Sequence, residues 1–127
     1  MTTVREVMST ELVTVDPSIM VTDAAHLMST ARAGSVLVLE GGSLVGIFTE
    51  RDIMRALGLV SKADEARVSA VSRWMTPDPV TIGPEATSGE ALDVMLSGGF
   101  RHLPVLEGDK LVGVVSMRDL ARSISKG

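Results

Sequence analysis

The chain has no cysteine among its 127 residues, which excludes disulfides, thiolate zinc centres and thiol nucleophiles. It has no tyrosine either, and its only aromatic residues are Phe48, Trp74 and Phe100. Positive charge is also scarce: 12 Lys and Arg stand against 16 Asp and Glu, for a net charge of −4. Binding DNA or RNA calls for a basic surface and often for aromatic platforms, so this balance argues against a nucleic-acid partner. A local basic pocket for a small anion stays compatible with it. The longest uninterrupted aliphatic run, Val36-Leu37-Val38-Leu39, is far too short to span a bilayer. The opening Met1-Thr2-Thr3-Val4-Arg5-Glu6 lacks the features of a secretory signal. A soluble cytoplasmic protein is therefore expected. Two histidines and scattered carboxylates give no metal-ligand spacing, and neither a nucleophile elbow nor a phosphate loop occurs. Neither an enzyme nor a catalytic cofactor is expected.

What the sequence does contain is a duplication. A shift of 67 residues lays positions 4–55 on 71–122 without a gap, and about a third of the pairs are identical. Val13-Thr14 falls on Val80-Thr81, Pro17 on Pro84 and Met28 on Met95. Val38-Leu39-Glu40-Gly41 falls on Val105-Leu106-Glu107-Gly108, Leu44-Val45-Gly46 on Leu111-Val112-Gly113, and Arg51-Asp52 on Arg118-Asp119. The first copy is assigned to residues 1–58, a partly helical connector to 59–70, and the second copy to 71–127. A unit of this size has a marginal core by itself, so two copies are expected to pack with an internal pseudo-twofold.

Each copy reads as strand, helix, strand, strand, helix, an α/β (α+β) pattern. Val13-Thr14-Val15 and Val80-Thr81-Ile82 are β-rich and run into Asp16-Pro17 and Gly83-Pro84. Ala24, Ala25, Met28 and Ala31 recur at helical spacing, as do Ala91, Leu92, Met95 and Leu96. Thr87 and Glu90 have the spacing of a capping box. Gly41-Gly42 and Gly108-Asp109 supply hairpin turns. The first two strands of each copy are joined through a helix and should be parallel. The eight methionines read as core fillers, some of them suited to an adaptable dimer surface.

The sharpest chemical signal lies where the third strand meets the closing helix. It reads Gly46-Ile47-Phe48-Thr49-Glu50-Arg51-Asp52 in one copy and Gly113-Val114-Val115-Ser116-Met117-Arg118-Asp119 in the other. A hydroxyl, a cation two residues on and a carboxylate three on, at a helix start, can cradle a sugar-phosphate. The helix N–H groups and Arg suit phosphate, and Asp suits a ribose diol. Thr49 with Asp52 and Ser116 with Asp119 equally fit a plain capping box. A hydroxyl can do both at once. His26 reads as an ordinary surface residue, whereas His102, beside Arg101, is a candidate ligand contact.

The doubled Gly-h-h-[Thr/Ser]-x-x-Asp pattern, with Arg101-His102-Leu103-Pro104-Val105 before the second hairpin, resembles a tandem cystathionine-β-synthase (CBS) domain pair. The resemblance covers nearly the whole chain and implies a stand-alone regulatory module. Such a module binds adenosine-containing ligands (AMP, ADP, ATP or S-adenosylmethionine) in clefts between the domains and forms a homodimer. Carried over by position, Asp52 and Asp119 would hold ribose hydroxyls, and Thr49 and Ser116 would touch ribose or phosphate. Arg51 and Arg118 would stand beside them. Ile47, Val114, Val13 and Val80 would flank adenine. Each cleft would borrow its first strand and the loop before the second strand from the opposite copy, with Arg101 and His102 near phosphates and Gly34 offering open backbone instead. The output would be a conformational change passed to an unknown regulated protein. The alternative is a ligand-independent dimerisation or scaffold module with vestigial clefts.

Overall fold

Each repeat builds its sheet from β-branched strands and covers one face of it with helices. The computed structural model describes residues 1–58 and 63–126, so residues 59–62 of the expected connector lie outside the described residues. The chain is a mixed α/β protein with two repeats, and it groups into two compact units. One contains Val13–Pro79 and the other contains Met1–Leu12 with Val80–Gly127.

In the Val13–Pro79 unit, β1 (Thr14–Val15) is followed by α2 (Val21–Ala31), β2 (Ser35–Glu40), β3 (Ser43–Thr49) and α3 (Glu50–Gly58). Then come α4 (Ala63–Val68), a 3-10 turn (Val71–Arg73) and β4 (Thr76–Pro77). The four strands form one sheet in the order β1-β2-β3-β4. The β1–β2 pair is parallel, as a helical crossover requires, and the other pairings are antiparallel. Gly41 and Gly42 both take positive φ (60° and 83°), the conformation a two-residue hairpin turn demands. Val15, Val36, Val38 and Phe48 face a core shared with Ala24 and Met28 of α2, Ala56 of α3 and Ala66 of α4. Trp74 closes this core and donates its indole N–H to Ser69 Oγ at 2.9 Å.

The other unit repeats the plan with α5 (Ser88–Gly98), β5 (His102–Glu107), β6 (Lys110–Ser116) and α6 (Met117–Lys126). The Thr87 side chain caps α5 by accepting from the Glu90 N–H at 3.1 Å, as the spacing predicts. Here α1 (Val4–Val7) joins from the start of the chain, and Val4 is fully buried among Ala91, Met95, Leu103, Val105, Val115 and Leu120.

The opening segments are exchanged between copies. Ser9 bridges Val114 of copy two, and Thr76, its counterpart 67 residues on, pairs with Ile47 of copy one. Thr3 bridges Thr87 just as Ala70 bridges Met20. The compact units follow this exchange. The exchange explains the glycine of the motif. A Cβ at Gly46 would collide with the Met75 thioether, and one at Gly113 would meet Met8 Sδ at 2.5 Å and the Ser9 carbonyl at 3.0 Å. Glycine lets the borrowed segment lie directly on the strand.

One expected strand is shortened. Residues 80–82 make only an isolated parallel bridge, Ile82 to Val105, where copy one has β1. The cause lies in the partner strand. Leu37 N donates to Val13 O at 2.9 Å, but the residue 67 positions on is Pro104, which has no N–H to give. The ladder starts later, with Ile82 N to Pro104 O (3.1 Å) and Leu106 N to Ile82 O (3.0 Å).

Candidate functional site

Side chains alternate across a strand, so the residues paired with Ser35 and Leu37 lie on the face opposite the core. Cross-strand register sets Ser35 beside Thr49 and Leu37 beside Ile47, and Thr14 and Thr76 complete that row. The same face in the other unit has His102 beside Ser116 and Pro104 beside Val114. The motif hydroxyls and the flanking apolar residues of each copy therefore share one sheet face at the strand–helix corner, where Ser35, Leu37, Ile47 and Pro104 are buried.

The carboxylates reach back to this corner from the first turn of α3 and α6. Asp52 Oδ2 accepts from Thr49 N at 2.9 Å and from Thr49 Oγ1 at 3.2 Å, and its Oδ1 accepts from Arg55 Nη1 at 3.0 Å. Its side chain is 5% exposed, consistent with the rule that a buried carboxylate is fully partnered. Asp119 makes the same cap: its Oδ2 accepts from Ser116 N at 2.9 Å, and Ser116 Oγ accepts from Asp119 N at 3.1 Å. Asp119 Oδ1, however, lies 4.0 Å from Arg122, beyond hydrogen-bonding distance, and the side chain is 22% exposed. The reciprocal capping box is thus complete in the second copy, whereas in the first the Thr49 hydroxyl donates to the carboxylate instead of accepting from the Asp52 N–H, and an oxygen of the carboxylate is left more accessible in the second.

The loops before β2 and β5 dock on the same helices. Gly34 O accepts from Glu50 N at 3.1 Å, and Arg101 O accepts from Met117 N at 2.8 Å, so the first helical N–H of each corner is spent internally. Arg51, Arg101 and Arg118 are exposed, while His102 and Gly34 are half-buried. Ile47 is buried (6% exposed), and Val114 is half-buried. The Val13 side chain packs against the core, and Thr14, paired with Leu37, lies on the site face. The signal for Thr14 was its repetition at Thr81, combined with strand alternation. Arg55 and Arg122, three residues after each Asp, are likewise doubled in the sequence and went unread as carboxylate partners. Each unit joins the first strand, loop and motif of one copy to the opening segment of the other. Among the described residues, no group of three or more His, Asp or Glu is arranged to hold a metal ion, and no helix is long and apolar enough to cross a membrane.

The CBS domain model matches residues 4–59 and again 68–126. The chain belongs to the CBS domain family. The CBS domain-containing protein YhcV of Bacillus subtilis is 33% identical over 121 residues, covering 95% of this chain and 84% of that protein. A CBS-domain containing protein of Agrobacterium tumefaciens superposes with a TM-score of 0.89 at 31% identity, over 97% of this chain and 93% of the other. CBSX2, solved in complex with AMP, superposes with a TM-score of 0.82 at 25% identity, over 99% and 98% of the two chains. The CBS pair is therefore shared with these proteins along nearly its whole length.

Proposed function

We propose that this chain is a regulatory CBS pair that binds an adenosine-containing nucleotide, of the AMP, ADP or ATP class or S-adenosylmethionine, at its strand–helix corners. The observation that carries the reading is the doubled corner itself. In each copy the carboxylate accepts the backbone N–H of the hydroxyl residue that ends the strand, in a fold shared with an AMP-bound relative. In this reading Asp119 and Asp52 accept ribose hydroxyls, and a carboxylate that already caps a helix is held in place for that role. Ser116 and Thr49 contact ribose or phosphate. Arg101, His102, Arg118 and Arg51 supply the positive charge for phosphate, with guanidinium forks suited to its oxygens. The half-buried Val114 offers apolar surface to the base, whereas Ile47 is buried in the equivalent corner.

The exchange of opening segments gives such binding an output. Val114 is joined to Ser9 by two backbone hydrogen bonds, Ser9 N to Val114 O at 2.8 Å and Val114 N to Ser9 O at 3.0 Å. A ligand against β6 therefore acts on a segment that continues, five residues after Ser9, into β1 of copy one. Binding shifts an equilibrium only as far as the ligand prefers one arrangement. The module acts as a cytoplasmic homodimer on a regulated protein, and the exposed Met54 and Leu57 of α3 and Ile124 of α6 suit such association. A ligand-independent scaffold is favoured by one observation, the complete internal satisfaction of Asp52.

Isothermal titration calorimetry with AMP, ADP, ATP and S-adenosylmethionine separates the two readings. The sensor reading expects saturable binding by at least one of them. It also expects stabilisation of about 2.7 kcal/mol at a hundredfold excess over Kd. No heat and no change in melting with any of the four leaves the scaffold.

A further inference from the structure

We infer that the two corners are unequal in function: the nucleotide is taken first by the one in the Met1–Leu12 and Val80–Gly127 unit, and Pro104 is the residue that opens it. This rests on the nucleotide reading proposed above and adds which site acts and why. Three observations point the same way. In copy one, the Leu37 N–H ties the Val13 carbonyl into the ladder, whereas Pro104 leaves the equivalent Val80 carbonyl without that donor. Val80 is accordingly 45% exposed, while Val13 packs against its core. Pro104, itself buried, is paired with the half-buried Val114 on the site face, so the released backbone borders the residue offered to the base. The carboxylates differ in the same sense: a ligand at Asp52 must displace the 3.0 Å Arg55 contact, whereas Asp119 Oδ1 has no hydrogen bond from Arg122 to break. Finally, the loop of copy two brings Arg101 and His102 where copy one has Gly34 and Ser35, and Ser35 is buried. Access, a more open acceptor and positive charge all coincide in one unit.

Pro104 is thus a positioning residue. It acts by keeping the first strand of its copy out of the ladder, and its test follows the backbone as well as affinity. AMP is titrated into the full-length protein while backbone amide shifts are followed by NMR. At substoichiometric AMP, the amides of Thr81, Val114, Ser116 and Asp119 should move before those of Thr14, Ile47, Thr49 and Asp52. Pro104→Leu, which installs the residue found in copy one, and Pro104→Ala each restore an N–H. Both should weaken AMP by about tenfold, the scale of tying up one backbone acceptor. Their melting temperature without ligand should be held or raised, and the new amide at 104 should be protected from exchange. Shifts that begin in copy one, or unchanged affinity in folded Pro104 variants, overturn this inference while leaving the nucleotide reading intact. No AMP-dependent shift anywhere, with no heat from the other three ligands, overturns that reading and this inference with it.

Discussion

Asp52 and Asp119 occupy identical sequence contexts three residues after a hydroxyl and three before an arginine, yet they sit in different electrostatic surroundings. Asp52 accepts from three donors and is nearly sealed from water, so removing it strands the Thr49 N–H and its hydroxyl together. Asp119 keeps contact with solvent, and water can replace what it gives up. Asp52→Ala is therefore expected to cost about 1–3 kcal/mol in urea denaturation, and Asp119→Ala nearer 1 kcal/mol, the range of a lost cap. The affinity for AMP should follow the opposite order, falling more in Asp119→Ala. If the carboxylates were caps alone, both variants would lose stability and neither would lose affinity. The pairing of each carboxylate with the N–H of the hydroxyl residue was legible in the sequence because three-residue spacing at a helix start brings the two together. The inequality of the two carboxylates was not, since both copies carry the same Asp-x-x-Arg pattern. The difference arises from how deeply each helix start is buried and how closely each arginine approaches.

Strands and helices were legible in nearly the order in which they occur, because hydrophobic period and turn residues act locally. The capping box at Thr87 and the hairpin turn at Gly41-Gly42 formed as read. The first strand of copy two failed to form as a strand because its partner's donor was missing, a cause that sits 22 residues away at Pro104. The motif glycines show the same limit. Their spacing could be read, but the methionine each one accommodates comes from the other copy, and no local pattern announces it. Gly113→Ala should destabilise by about 1–3 kcal/mol, because its Cβ meets the fixed Ser9 carbonyl as well as Met8. Gly46→Ala should cost less, since only the flexible Met75 side chain has to move. Thermal or urea denaturation of the two variants side by side checks this order.

Across the whole molecule, duplication produced two units that are each completed by the other copy's opening segment. Val4 belongs by sequence to copy one but is buried in the core of copy two, and Arg5 beside it donates to Glu85 at 2.8 Å and also pairs with Glu107. Neither copy has all the residues of its own core, which is why a repeat of this size persists only as a pair. The same exchange runs the chain past each corner on its way to the next unit, so a ligand at the corner and the connection between copies share the strand residues Val114 and Ile47. What occupies those corners decides between sensor and scaffold, and a crystal structure grown with saturating AMP answers this most directly. AMP is expected in the copy-two corner, with ribose hydroxyls hydrogen-bonded to the Asp119 carboxylate and the base against Val114 and the Val80 backbone. A nucleotide bound elsewhere, with both carboxylates still engaged only in their helix caps, would contradict this expectation.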